Sequence, residues 1–172
     1  MMDARIEVAG LAALAAAWRR APDIAADEMV TAVLEASLLL EREVKERTPT
    51  ATNTTRESIA AQEPRILADR VVGEVASPLP HIAAVELGSR PHHPPVQPLV
   101  DWAKVKFGAS DAEAERIGHA TAKKIAARGT KGAFMFRDAL AANDSQVRDI
   151  VARGAARAAA RLGDAPPGGA DV

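Results

Sequence analysis

Residues 25–47 read AADEMVTAVLEASLLLEREVKER, and their spacing decides the first half of the fold. At 100° per residue, Met29, Val30, Val33, Leu34, Leu40 and Val44 gather on one side of a helix, with Glu28, Glu35, Arg42 and Glu46 opposite. Leu39 falls among the charges, off the apolar stripe. A single exposed leucine is ordinary on a protein surface, and cover by a neighbouring subunit is the alternative. Thr48-Pro49 ends the helix, because proline has no N–H for the ladder. Upstream, residues 11–20 read as a separate short alanine-rich helix, and Pro22-Asp23 restarts the chain. Arg5-Ile-Glu-Val8 alternates like a short strand, broken by Gly10.

After the helix the period changes from 3.6 to 2. Residues 58–65 and 70–76 read as two strands joined near Ala68-Asp69, with Ile59, Ile66, Val71, Val72 and Val75 as β-branched members. Pro64 makes the first an edge strand or bulges it. Residues 82–87 form a helical turn stopped by Gly88, where a positive φ is expected. Residues 90–95 cannot be regular, since each proline removes a donor and restrains its predecessor.

The rest is helical. Pro98 suits the first turn of a helix over 99–107. Ser110-Asp-Ala-Glu113 is a capping-box pattern for the next, in which Ala114, Ile117, Gly118, Thr121 and Ile125 share a face and Gly129 is the stop. Residues 133–142 read as helix, and Asn143-Asp144-Ser145 as the cap of a last helix reaching Leu162. Val147, Ile150, Val151, Gly154, Ala155, Ala158 and Leu162 lie on its inner face. The class is α+β: a small antiparallel sheet, made of the hairpin plus the N-terminal strand, packed with a long N-terminal helix and a helical C-terminal half. One domain is expected over 1–162, with 163–172 a solvated tail rich in Gly and Pro.

Composition narrows the function classes. The chain has 172 residues, a formal net charge of −1 and no cysteine, which removes disulfides, thiolate nucleophiles and Cys-zinc sites. Its aromatics are two Trp and three Phe, so an alanine-rich core buries little area per residue and favours oligomers. Trp102, Phe107, Phe134 and Phe136 are expected in that core; any that is exposed is expected to anchor a subunit interface. No apolar run reaches membrane-span length, and the first residues lack the pattern of a signal peptide, so synthesis in the cytosol and no membrane partner are expected.

Candidate chemistry is sparse. His92-His93 with His81, Glu86 and Asp101 superficially suggest a metal site, but adjacent imidazoles rarely converge and the prolines hold the path extended, so packing in a turn is the expectation. Glu86 has no acid or base partner in view, and an ion pair or subunit contact is expected of it. Gly129-Thr-Lys131-Gly132 lacks the spacing of a phosphate loop and follows a helix rather than a strand. Neither a catalytic residue nor a cofactor is assigned. Arg153, Arg157 and Arg161 fall at i, i+4 and i+8, a basic stripe that is either a solvated face or a contact for DNA phosphates or an acidic partner.

Two signatures stand about thirty residues apart. One is His81-Ile-Ala-Ala-Val-Glu86-Leu-Gly88-Ser-Arg90-Pro-His92-His93-Pro94-Pro95, followed by Leu99-Val-Asp-Trp102. The other is Ile125-Ala-Ala-Arg128-Gly129-Thr-Lys-Gly132-Ala-Phe134-Met-Phe136. Upstream, Pro49-Thr-Ala-Thr52-Asn53 leads into Ser58-Ile59, with Asn53 where a glycine is usual and a left-handed backbone expected. In this order the segments resemble the tail-completion and neck proteins of long-tailed bacteriophages, prophages and gene-transfer particles, over residues 6–140. The resemblance implies a structural virion protein that forms a ring, usually sixfold, which completes or terminates the tail tube and helps join tail to head. Implied partners are the tail-tube protein, the head–tail connector or adaptor proteins and packaged DNA in the lumen. The implied site is the virion, with host cytoplasm during assembly. Interface candidates are Asn53, Glu86, Gly88, Arg90, His92, Pro94 and Leu39. Removal of residues 88–95 is expected to leave a folded monomer that no longer assembles. A head-closure role at the portal side and a DNA-binding accessory role are the alternatives.

Overall fold

The computed structural model describes residues 11–49, 53–68 and 70–163. The fold is α+β, with a long N-terminal helix, short antiparallel strands and a helical C-terminal half. The N-terminal strand expected over 5–8 lies outside the described residues. The chain forms two compact units. Among the described residues, one combines those at 11–37, 63–74 and 145–163, and the other those at 38–62 and 75–144.

Helix α1 (Leu11–Arg47) corrects the expected break: Pro22 lies inside one continuous helix. Its missing N–H removes one bond to the turn before, but alanine-rich turns without glycine flank it, and the helix propagates through. The helix α6 (Met135–Gly163) is likewise unbroken at 143–145. There Asn143 does not cap. Its amide donates to the Ala139 carbonyl one turn back at 2.9 Å and to the Glu43 carboxylate at 3.2 Å.

In the first unit, Ile24, Ala32 and Ala36 of α1 are buried, as are Ile150 and Ala158 of α6. Gly154 lets α6 approach α1: a Cβ there would lie 2.6 Å from the Ala32 Cβ. The strands β2 (Arg65–Leu67) and β3 (Arg70–Val72) pair Arg65 with Val72 and Leu67 with Arg70. Their turn begins at Ala68, which has φ 44°. Gly73 follows, where an added Cβ would meet Val33 and Ser37 of α1.

The second unit has a short ladder of its own. Its strands are β1 (Ala60–Ala61) and β4 (Val75–Ala76), paired Ala60 with Ala76. Buried Pro64, which lacks a donor, stands in the sequence between β1 and β2 and belongs to neither ladder. Val44, Ile59, Met135 and Ala139 form the main core here, with Val75, Ile82, Val85 and Phe136 against it. The Thr48 hydroxyl, also buried, donates to the Val44 carbonyl at 2.7 Å. Leu39 is another correction: it is buried at 8% exposure within its own chain, while Leu38 beside it is 52% exposed. The face of α1 that packs is rotated relative to its apolar stripe.

Helix α2 (Thr54–Glu57) is one turn. Asn53 before it is right-handed at φ −70°, so its tolerance of a left-handed backbone is not used. Helix α3 (Ile82–Leu87) ends at Gly88, φ 82°, as expected. Helix α4 (Val96–Phe107) carries Pro98 in its first turn and ends on left-handed Gly108. Helix α5 (Asp111–Arg128) starts after Ser110, but the side-chain bond of a capping box is not formed. Val100 and Ala103 of α4 pack against Ala114, with Ile117 alongside. Gly118 admits Val100, whose Cγ2 would be 2.6 Å from an added Cβ.

Candidate interaction site

The two signatures meet in the second unit. Strand β5 (Gly88–Ser89) pairs antiparallel with β6 (Thr130–Lys131), Gly88 opposite Lys131 and Ser89 opposite Thr130. Three glycines make this possible. A Cβ on Gly88 would lie 2.3 Å from the Thr130 carbonyl oxygen; on Gly129, 2.0 Å from the Ser89 oxygen; on Gly132, 2.4 Å from the Glu86 oxygen. The Gly129-Thr-Lys131-Gly132 run is thus half of a ladder. The Ser89 and Thr130 hydroxyls sit 2.9 Å apart across it.

Glu86 supplies a second clamp. Its carboxylate accepts from the N–H of Phe136 and of Arg137, each at 3.1 Å, at the N-terminus of α6. The Val85 and Glu86 carbonyls accept from Ala133 and Phe134 at 2.8 and 3.0 Å. Those four bonds tie α3 to the start of α6. Phe134 is left-handed at φ 52°, with the Arg137 guanidinium 3.9 Å above its ring. Glu86 therefore caps a helix. It forms no ion pair with Arg90 among the described residues.

An open groove of about 560 Å³ lies beside this joint. Pro49, His81, Ala84, Val85, Ser89, His92, Trp102, Ile125, Thr130, Lys131 and Ala133 line it. The His81 Nε2 lies 3.2 Å from the Thr55 hydroxyl. The His92 Nδ1 lies 2.9 Å from the Arg90 carbonyl, an acceptor only, so this nitrogen carries the proton. The described residues include no group of three metal-ligating side chains.

Trp102 is 36% exposed and Phe107 59%, with their rings edge to face at 5.3 Å. That corrects their expected place in the core. Trp102 lies roughly 100–160° round α4 from Val96, Val100 and Ala103, off the face that packs, a signal readable in the spacing. Phe134 and Phe136 are half-buried.

Of the expected site residues, the structure brings together Glu86, Gly88, Arg90 and His92, with half-buried Pro94 in the following loop. Asn53 is exposed and outside the groove, and Leu39 is in the core. The arginine stripe belongs to the first unit, and it is not a free basic face. Arg157 and Arg161 each contact Glu28 at 2.9 Å, and Arg153 contacts Glu35 at 3.2 Å. The hydrogen bond from Arg157, then that from Arg161, holds the Glu28 carboxyl below its ordinary value. These pairs neutralise the charge that a phosphate would need.

No helix among the described residues is long and apolar enough to cross a membrane. No known protein family matches the chain, and neither a curated protein nor a solved structure does.

Proposed function

We propose that this chain is a structural protein of the phage neck or upper tail, one subunit of a ring that completes the tail tube and helps join it to the head. The observation that carries the reading is the joint itself. The two signature segments, far apart in sequence, build one rigid corner from the β5–β6 ladder and the Glu86 clamp. Beside the corner lies a mostly apolar groove with a part-exposed tryptophan. A closed ring requires a heterologous contact, in which one patch of a subunit receives a different patch of the next. A concave apolar surface with a rigid aromatic anchor suits the receiving side.

The receiving face centres on Trp102, His81 and His92, while Leu39 is buried within its own subunit. Deleting residues 88–95 would remove β5 and with it the ladder, so the shortened chain is not expected to keep its fold. Point substitution is cleaner. Trp102→Ala, monitored by light scattering and negative-stain imaging, is expected to yield folded subunits that do not close rings. Rings formed as readily as by the unaltered chain would refute the interface. Particles assembled without this protein test the wider role: tails of abnormal length, or complete tails unjoined to heads, support it. Heads that leak DNA instead would move the protein to the portal side.

A further inference from the structure

The β5–β6 ladder gathers cations from three places in the sequence. Arg90 follows β5 and runs past Gly129 so closely that a Cβ there would come within 2.8 Å of its carbonyl carbon. Arg128 ends α5 just before that glycine, and Lys124 is one turn earlier on the same face. Lys131 lies in β6. All four are exposed, and none has an ion-pair partner among the described residues.

Nearby carboxylates are already occupied. Glu86 caps α6, and Asp138 pairs with Arg137. From Arg116 to Arg137 the sequence has no Asp or Glu. Cations near a helix C-terminus do stabilise the helix. That local reason accounts for Lys124 and Arg128, but not for Arg90 and Lys131, which lie outside α5. Like charges left side by side without a counter-charge repel one another, and an external anion relieves this.

We propose that this cluster binds the phosphate backbone of duplex DNA. A second copy of the chain offers no equal anion. Of its carboxylates, Glu28, Glu35, Glu41 and Glu43 on α1 are neutralised by Arg157, Arg153, Lys45 and Arg47, and Asp111 on α5 by Lys104. DNA instead presents one charge per roughly 1.7 Å of helix axis. A single strand carries only about half that charge per unit length, roughly one per 3.4 Å, which favours the duplex for a cluster of four cations.

The test is fluorescence anisotropy of the full chain with a labelled random-sequence duplex of about 20 base pairs, at roughly 50 and 200 mM salt. Saturable binding should weaken about 100-fold between the two salts, as for three to four neutralised phosphates. Combined Arg90→Gln and Lys131→Gln, both outside α5, should lower affinity at least several-fold and flatten the salt slope by about 2. Adding Lys124→Gln and Arg128→Gln should abolish binding, with the helical circular dichroism signal retained. Arg153→Ala with Arg161→Ala should leave affinity unchanged. No saturable binding at the lower salt, unchanged affinity in the Arg90 and Lys131 variant, or tighter binding of a single strand of equal length would each overturn the assignment.

Discussion

The carboxylate of Glu86 reaches the backbone N–H of Phe136, 50 residues away, at 3.1 Å, and takes the next N–H at the same distance. A helix start leaves four donors without internal partners, and Glu86 satisfies two of them from a different element. Glu86→Ala should therefore cost about 1–2 kcal/mol, in the range of a lost N-cap. Glu86→Gln keeps one good acceptor and should cost roughly half as much. Urea unfolding of the three proteins checks the order. An alanine variant as stable as the parent would mean that the clamp contributes nothing.

The glycines of the joint make a sharper comparison. Gly129 has φ 70° and Gly108 has φ 62°. Nothing stands within 4 Å of a Cβ at Gly108, whereas at Gly129 the Ser89 oxygen would be 2.0 Å away. Gly108→Ala should cost only the left-handed backbone penalty of about 1–2 kcal/mol. Gly129→Ala adds a clash with backbone that cannot turn aside, so its loss should exceed about 3 kcal/mol. Equal melting temperatures for the two variants would show that β5 and β6 do not approach as described.

Acid should weaken the first unit in a particular way. Glu28 is held below its ordinary value of 4.5 by hydrogen bonds from Arg157 and then Arg161. A carboxylate with a depressed folded value contributes stability that is present above the unfolded value and lost as pH falls through the folded one. Glu43, lowered first by Arg47, and Glu41, lowered first by Lys45, act in the same direction in the second unit. The urea midpoint should thus fall as pH drops below about 4.5. Combined Arg157→Ala and Arg161→Ala should make that fall shallower. A pH profile identical to the parent's would separate Glu28 from the effect.

What was legible in the sequence was local. Gly88 and Gly129 announced helix ends because only a residue without Cβ adopts φ near 70–80° cheaply, and both do so. The inner face of α5 followed from its period. Pro22 and Asn143-Asp144-Ser145 misled, because residues that disfavour helix are overruled when strong helix formers flank them. The site was half visible. Both signatures stood out, but the β5–β6 pairing spans 41 residues and leaves no local trace. The arginine stripe was visible as charge, while its partners lie 118 to 133 residues away on α1. Charge periodicity reports a face and says nothing of what opposes it.

The last test sets propensity against packing at Gly154. In an exposed helix, Gly→Ala should stabilise by about 1 kcal/mol. Here the new Cβ would meet the Ala32 Cβ at 2.6 Å. Neither atom can rotate away, because each is fixed to a helix backbone, so α1 and α6 must separate at this point. The packing loss should exceed the propensity gain, and Gly154→Ala should lower the melting temperature. Ala32→Gly alone should also destabilise, by about 1 kcal/mol from propensity. Together the two substitutions exchange which helix carries the methyl group and restore the close approach. The double variant should therefore be more stable than the sum of the single effects by at least about 1 kcal/mol, a coupling that a thermodynamic cycle measures directly. Strict additivity, or a Gly154→Ala protein that melts higher than the parent, would mean that the helices do not touch there.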